Sequence, residues 1–378
     1  MALDVSRLTP AGKKYLEVST NPFGEDPEMG EYGTGAKIPD KLSCDTFTIK
    51  MIAEGTVPCG YEAVAATGTG IDGTVAIPAG SGTIAIKMNL PGPDDISGLN
   101  DAGVIVQHYD TDGNAIPTQC SWGLKWNHIT DFRGFAMKYR IVGGGLKVWA
   151  TSGADVTAGI AAAGYSSSSL INFGAVNSGV AGFSPIVRDY QLSAIIPFKI
   201  GTPVAGTSYD ADGITNATME NIRAELKDNR YPLNPMEAKN GVTVRWRAND
   251  SNDLEFLPIT TMLLEETSLR SNLPTVILMG TNSTTTVYVK AVLHVEMQMT
   301  NYTKLVDYKP SPYDPQFESL FHEVNSDNIA PLVVSGHSFS SFLKRMSRGV
   351  RSVANRVGKR ALDTGVQMAV EKYGSPMY

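Results

Sequence analysis

Apolar and polar residues alternate along Asp45-Thr46-Phe47-Thr48-Ile49-Lys50-Met51, and again along Thr285-Thr286-Val287-Tyr288-Val289-Lys290-Ala291-Val292-Leu293-His294-Val295-Glu296-Met297. A period of two places every second side chain on one face, so each run predicts a half-buried strand. Runs at Gly82–Met88, Ala102–Tyr109, Phe135–Val142, Leu146–Ala150, Asp189–Ile200, Val242–Ala248 and Thr275–Met279 predict further strands. Turn signals such as Asp112-Gly113, Gly143-Gly144-Gly145 and Asn240-Gly241 separate them. About eight antiparallel strands without helices alternating between them predict an all-β sandwich or barrel. Gly153–Gly182, built mainly of Ala, Gly, Ser, Val and Asn, reads as a surface excursion, and Thr218–Asn229 as one short helix.

The pattern changes after Tyr308-Lys309-Pro310-Ser311-Pro312-Tyr313-Asp314-Pro315, where closely spaced prolines end the strand region. Beyond it Phe339, Phe342, Leu343, Met346, Val350, Val353 and Val357 recur at intervals of three and four, an apolar stripe along one helical face. Gly349, Gly358 and Gly365 each cost such a helix about 1 kcal/mol relative to Ala, so it needs a partner surface to form fully.

Charge sharpens this division. The chain of 378 residues has 32 Lys plus Arg and 38 Asp plus Glu, a net charge of -6. Between Asp327 and Asp363 there is no acidic residue, while Lys344, Arg345, Arg348, Arg351, Arg356, Lys359 and Arg360 contribute +7. The remainder, with 25 basic and 38 acidic residues, stands at -13: an acidic body carries a basic, amphipathic tail. With 42% hydrophobic residues the body can bury a sizeable core, which excludes a disordered chain. Three cysteines, Cys44, Cys59 and Cys120, without CxxC spacing suggest neither a disulfide framework nor a thiolate zinc site, and fit a reducing compartment. No apolar stretch approaches the roughly 20 residues of a membrane span, and the first residues lack a signal-peptide core, so a soluble, non-exported chain is expected.

Several motifs mimic chemistry. Gly68-Thr69-Gly70-Ile71-Asp72-Gly73 matches GxGxxG, but no helix follows to present amides to a pyrophosphate. Gly336-His337-Ser338-Phe339-Ser340 lacks the last glycine of a nucleophile elbow, and Ser338 reads better as a helix cap. Asp110-Thr111-Asp112-Gly113-Asn114 has two carboxylates at calcium-loop spacing without the other ligands, and reads as a hairpin turn. His108, His128, His294, His322 and His337 show no metal-ligand spacing and read as surface or satisfied core residues. No catalytic constellation emerges, so a non-enzymatic protein is expected.

The order of several short segments resembles the icosahedral capsid proteins of nodaviruses and the related tetravirus-like insect viruses. They are Leu8-Thr9-Pro10-Ala11-Gly12-Lys13-Lys14-Tyr15-Leu16, Asp26-Pro27, Ile38-Pro39-Asp40, Asp45-Thr46-Phe47-Thr48-Ile49, Phe132-Arg133, Val148-Trp149, Asp253-Leu254-Glu255-Phe256 and the exit through Tyr308 to Pro312. The resemblance implies an eight-stranded antiparallel jelly roll that tiles a homo-oligomeric shell with trimeric contacts. It divides the chain into an inner segment, 1–44, a jelly-roll domain, 45–310, with insertions about 153–182 and 201–240, and a helical basic tail, 311–378, facing RNA. The family's Arg-rich amino-terminal arm has no counterpart here, which leaves the tail as supplier of positive charge.

The family's self-cleavage uses an Asp in an early Pro-Asp-Phe segment and an Asn-Ala bond before the tail helix. Here the corresponding segments read Asn21-Pro22-Phe23 and Val333-Val334-Ser335-Gly336-His337, so no maturation cleavage is expected at that junction; Asn328, followed by Ile329-Ala330, is a weaker alternative. Calcium held between subunits by Asp250, Asp253 and Glu255 is a further implication, against which stands a solvated acidic loop. The expectation is thus a virion protein, in the host cytoplasm during assembly, that packages viral RNA through its seven basic tail residues. Its apolar stripe either acts on a host membrane during entry or packs under the shell. The alternative is a soluble carbohydrate- or receptor-binding β-sandwich protein.

Overall fold

The computed structural model describes residues 5–24, 35–40, 45–59, 82–93, 101–109, 121–151, 160–166, 195–197, 230–232, 242–248, 254–259, 273–281, 285–299, 309–325 and 332–334. Leu3–Ser335 forms one compact unit and Gly336–Tyr378 with Met1–Ala2 another, so the sequence boundary at 310/311 falls inside the first. The second unit lies outside the described residues, as do Asp112-Gly113, Asn240-Gly241 and Thr218–Asn229.

In the first unit the strands are β1 (Asp45–Pro58), β2 (Gly82–Met88), β3 (Ala102–Tyr109), β4 (Ser121–Lys125), β5 (Ala136–Ala150), β6 (Ile160–Ser166) and β7 (Ile195–Pro197). There follow β8 (Arg230–Pro232), β9 (Val242–Arg245), β10 (Leu257–Pro258), β11 (Leu273–Thr281), β12 (Thr286–Met299), β13 (Lys309–Pro310) and β14 (Leu332–Val334). One sheet runs β13-β1-β12-β5-β9-β14, with β10 beside β5; the other runs β7-β4-β3-β2-β11-β6-β8. Each pairing within the two sheets is antiparallel.

Eight of these strands carry the topology. β1 pairs with β12, β2 with β11, β5 with β9 and β6 with β8: first with last, second with next to last, inward to the middle. That is one long hairpin folded over on itself, and the cross-pairs β12–β5 and β11–β6 close it into the two sheets of a jelly roll. The β3–β4 pair, between the second and third of these strands in sequence, widens the second sheet and carries β7 on its edge.

The core lies between the sheets. Phe47, Ile49, Met51 and Ala53 pair with Met297, Val295, Leu293 and Ala291, and all eight side chains are buried. At roughly 25 cal/mol per Å² of apolar surface removed from water, such continuous burial is the main force holding the sheets together. Polar bonds also cross the gap: Tyr139 Oη donates to the Pro91 carbonyl at 3.1 Å, and Tyr165 Oη of β6 donates to the Arg245 carbonyl of β9 at 2.6 Å.

Two parts of the sequence reading are corrected. Gly143-Gly144-Gly145 is no turn, because β5 runs straight through it and joins the two strands expected on either side. A Cβ on Gly143 would meet the Val18 carbonyl oxygen at 3.1 Å, and one on Gly145 the Phe23 ring at 3.0 Å. The glycines therefore let the amino-terminal segment lie against the sheet. Within 153–182, Ile160–Ser166 is β6, flanked by β11 and β8, with Ala161, Ala162 and Ala163 buried; small side chains mark close packing there and not only a surface excursion. β8 likewise falls within 201–240.

Helices cover the outer face of the first sheet. α1 (Pro10–Thr20) begins at Thr9, whose Oγ1 accepts from the Gly12 amide at 3.1 Å, with Pro10 at the first helical position. α1 packs on β5 and against the later helix α3 (Phe317–Asn325), with the Tyr15 and Phe317 rings edge to face at 6.2 Å. The short α2 (Ile129–Phe135) leads directly into β5. Among the described residues no helix is long and apolar enough to cross a membrane.

Candidate functional site

The seven basic tail residues, Lys344, Arg345, Arg348, Arg351, Arg356, Lys359 and Arg360, lie outside the described residues. So do the stripe Phe339, Phe342, Leu343, Met346, Val350, Val353 and Val357, the GxGxxG and near-elbow motifs, and Asp250 and Asp253 of the acidic trio. Glu255 is described and exposed. Among the described residues no group of three or more His, Cys, Asp or Glu side chains could hold a metal ion.

What the structure does assemble is a buried polar layer on the outer face of the first sheet. Arg140 and Glu296 are direct cross-strand partners on β5 and β12. Glu296 is fully buried; its Oε2 accepts from Arg140 Nε at 3.0 Å, Arg140 Nη2 at 2.8 Å and the Ile38 amide at 3.0 Å. Its Oε1 accepts from the Thr46 and Ser311 hydroxyls, each at 2.5 Å. Arg140 forks onto Asp40, Nη2 reaching Oδ1 at 3.1 Å and Nη1 bonding Oδ2, and its guanidinium lies over the Phe256 ring. Burial alone would lower the Arg140 pKa, but the Asp40 and Glu296 carboxylates outweigh it and raise the pKa above its ordinary value.

This cluster ties β5, β12 and β1 to a segment before β1, residues 35–40, and to the chain after β13. Nearby, Asp314 accepts from the Thr9 amide and hydroxyl, both at 2.7 Å, which fastens the start of α1 to the same carboxyl-terminal stretch. Arg245 is buried with no carboxylate beside it among the described residues; Nη1 donates to the Ser19 carbonyl at 2.6 Å, in the last turn of α1, and Nη2 reaches the Val324 carbonyl at 3.5 Å, in the last turn of α3. Two helix carboxyl termini thus direct their partial negative charge at one guanidinium, whose pKa desolvation lowers. His294, the β12 neighbour of Lys50 and Gly143, is buried under Pro22, and its Nε2 donates to that carbonyl at 2.9 Å. The reading of His294 as a satisfied core histidine holds.

The sequence reading did not single out Arg140, Glu296 or Arg245, which lie within its strand runs. Alternation gives the face a residue points to; it does not show that a helix from the other end of the chain covers that face. The Thr9-Pro10 pair was the available sign of a helix there.

The remaining described surface carries large apolar side chains in the open: Phe135 at the end of α2, Met137 on β5 at 53% exposure, and Tyr313 at 54%. These sit outside the buried layer.

No family model matches the chain, and no curated protein does. Among the solved structures that align with it are particles of infectious bursal disease virus. The T=1 particles derived from that virus align at 10% identity and TM-score 0.40, covering 85% of this chain and 93% of that one. Its T13 viral particle aligns at 10% identity and TM-score 0.41, over 86% and 95%, and its Gt strain at 11% and 0.40, over 90% and 97%. The jelly-roll assignment rests on the strand pairing and not on these superpositions.

Proposed function

We propose that this chain is a structural subunit of an icosahedral virus shell that encloses RNA. The observation that carries the reading is the jelly-roll pairing of first strand with last, combined with segments before β1 and after β13 that are fastened by buried polar contacts onto the outer face of one sheet. That combination gives two packed sheets with a further layer on one of them, an arrangement that can tile edge to edge. The sequence order resembling nodavirus and tetravirus-like capsids supports it, and so does the split between an acidic body at -13 and a basic stretch at +7. Phe135 and Met137 are exposed apolar side chains of the kind a neighbouring subunit covers.

In this reading the seven basic residues from Lys344 to Arg360 neutralise phosphates, and the apolar stripe from Phe339 to Val357 either enters a bilayer interface or packs against protein. Electron microscopy of the purified full-length chain tests the core of the proposal. Uniform closed particles are expected; monodisperse small oligomers would favour a soluble ligand-binding sandwich instead. Dye release from anionic vesicles by a peptide spanning 336–374 tests the bilayer role, and its absence removes that role.

A further inference from the structure

Residues 5–24 and 35–40 form a strap across the outer face of the first sheet. It buries Leu8, Tyr15, Leu16, Val18 and Ile38, and its polar fastenings are Thr9 on Asp314, the Ser19 carbonyl on Arg245, the Pro22 carbonyl on His294, the Ile38 amide on Glu296 and Asp40 on Arg140. At the centre of this layer the sheet surface carries positive charge from Lys50, Arg140 and Arg245 against the carboxylate of Glu296. Beneath Pro22 the sheet contributes one imidazole, His294, sealed from water.

We propose that His294 is an acid-sensitive latch that frees the amino-terminal strap from the sheet. The Pro22 carbonyl accepts from Nε2, so the neutral ring carries its proton there and an added proton must go to Nδ1. Among the described residues the groups that act on His294 are few. Lys50 from β1 opposes a second positive charge, and the Pro22 carbonyl from the strap favours it. β5 offers only Gly143 opposite, and Glu296, the nearest carboxylate along β12, is already bonded to Arg140, Thr46, Ser311 and Ile38. The imidazolium therefore gains its stabilisation from water, and water reaches it when the strap lifts.

The direction follows from linkage. Burial first, and Lys50 in addition, push the His294 pKa down from 6.5 to about 4 while the strap is closed. A strap-open state returns the ring to its ordinary value. The closed state thus binds fewer protons; its advantage is complete above pH 6.5 and is lost as pH falls from there towards 4. With those two values the open population at pH 5 rises about 20-fold over that at pH 7.

Hydrogen exchange of the full-length protein, corrected for intrinsic rates, reads this directly. At pH 5 relative to pH 7 we expect faster exchange in α1 and residues 35–40 while β12 and β5 stay protected. His294→Gln keeps a donor for Pro22 but cannot charge, and should abolish the acid response. Lys50→Gln, which removes a charge that opposes protonation in the closed state, should narrow the gap between the closed and open values and so weaken the response. A wild-type strap equally protected at pH 5, an unchanged response in His294→Gln, or an undiminished response in Lys50→Gln each overturns the proposal. The inference rests on the strap alone and is independent of what the chain assembles into.

Discussion

Glu296 accepts five hydrogen bonds in a position with no exposure, so its charge is stabilised entirely by neighbours. Removing water from two ions costs several kcal/mol per ion, which their attraction recovers only when every lone pair is satisfied. Here each Glu296 oxygen has at least two donors. Arg140→Met should therefore lower stability by about 3–5 kcal/mol, because it strands a buried carboxylate and not merely because it deletes a contact. The double replacement Arg140→Met with Glu296→Leu should recover part of that loss, as read by urea unfolding. The ion pair of Lys290 with Glu54, 2.9 Å apart but with side chains 29% and 17% exposed, is the contrast: Lys290→Gln should cost less than about 1 kcal/mol. Equal losses at the two sites would show that the buried layer is no clamp.

At the level of elements, the contact of α1 with β5 depends on missing side chains. The hypothetical Cβ of Gly143 lies 3.1 Å from the Val18 carbonyl oxygen and 3.3 Å from Ser19 Cα, backbone atoms that cannot swing aside as a flexible side chain would. Gly143→Val should cost about 1–3 kcal/mol by forcing helix and strand apart, with early loss of protection in α1 and little change in β12. An α1 as well protected as in the wild type would refute the close-approach account. The same glycines explain where sequence reading stopped. β2 and β3 were legible to the residue, as Gly82–Met88 and Ala102–Tyr109, because alternation and flanking turn residues are local signals. The strand through Gly143-Gly144-Gly145 was not, since the reason for the glycines is a helix more than a hundred residues earlier in the chain. β6 was hidden in the same way: Ala161-Ala162-Ala163-Gly164 has the composition of a loop, and only its pairing with β11 makes it a central strand. The buried layer was legible residue by residue as polar, but its burial comes from segments that alternation cannot place.

For the whole molecule, the decisive quantity is charge. In the proposed function the seven basic residues between Lys344 and Arg360 would have to hold RNA against a body of net charge -13, which repels it. Neutralising seven phosphates on a single strand releases counterions to give a log–log salt slope of about -5. Affinity of the full-length protein for single-stranded RNA should then fall about a thousandfold between 50 and 200 mM salt. Replacing all seven residues by Gln should flatten the slope to near zero and empty the particles of RNA, yet leave shells able to form, since the strand pairing and the buried layer lie wholly within Leu3–Ser335. A wild-type slope shallower than about -2 would mean that fewer than three phosphates are neutralised, too few for a basic tail that works as one grip. Normal RNA content in the Gln variant would place the cargo contact elsewhere in the chain, and the acidic body would then need a basic patch that its overall charge conceals.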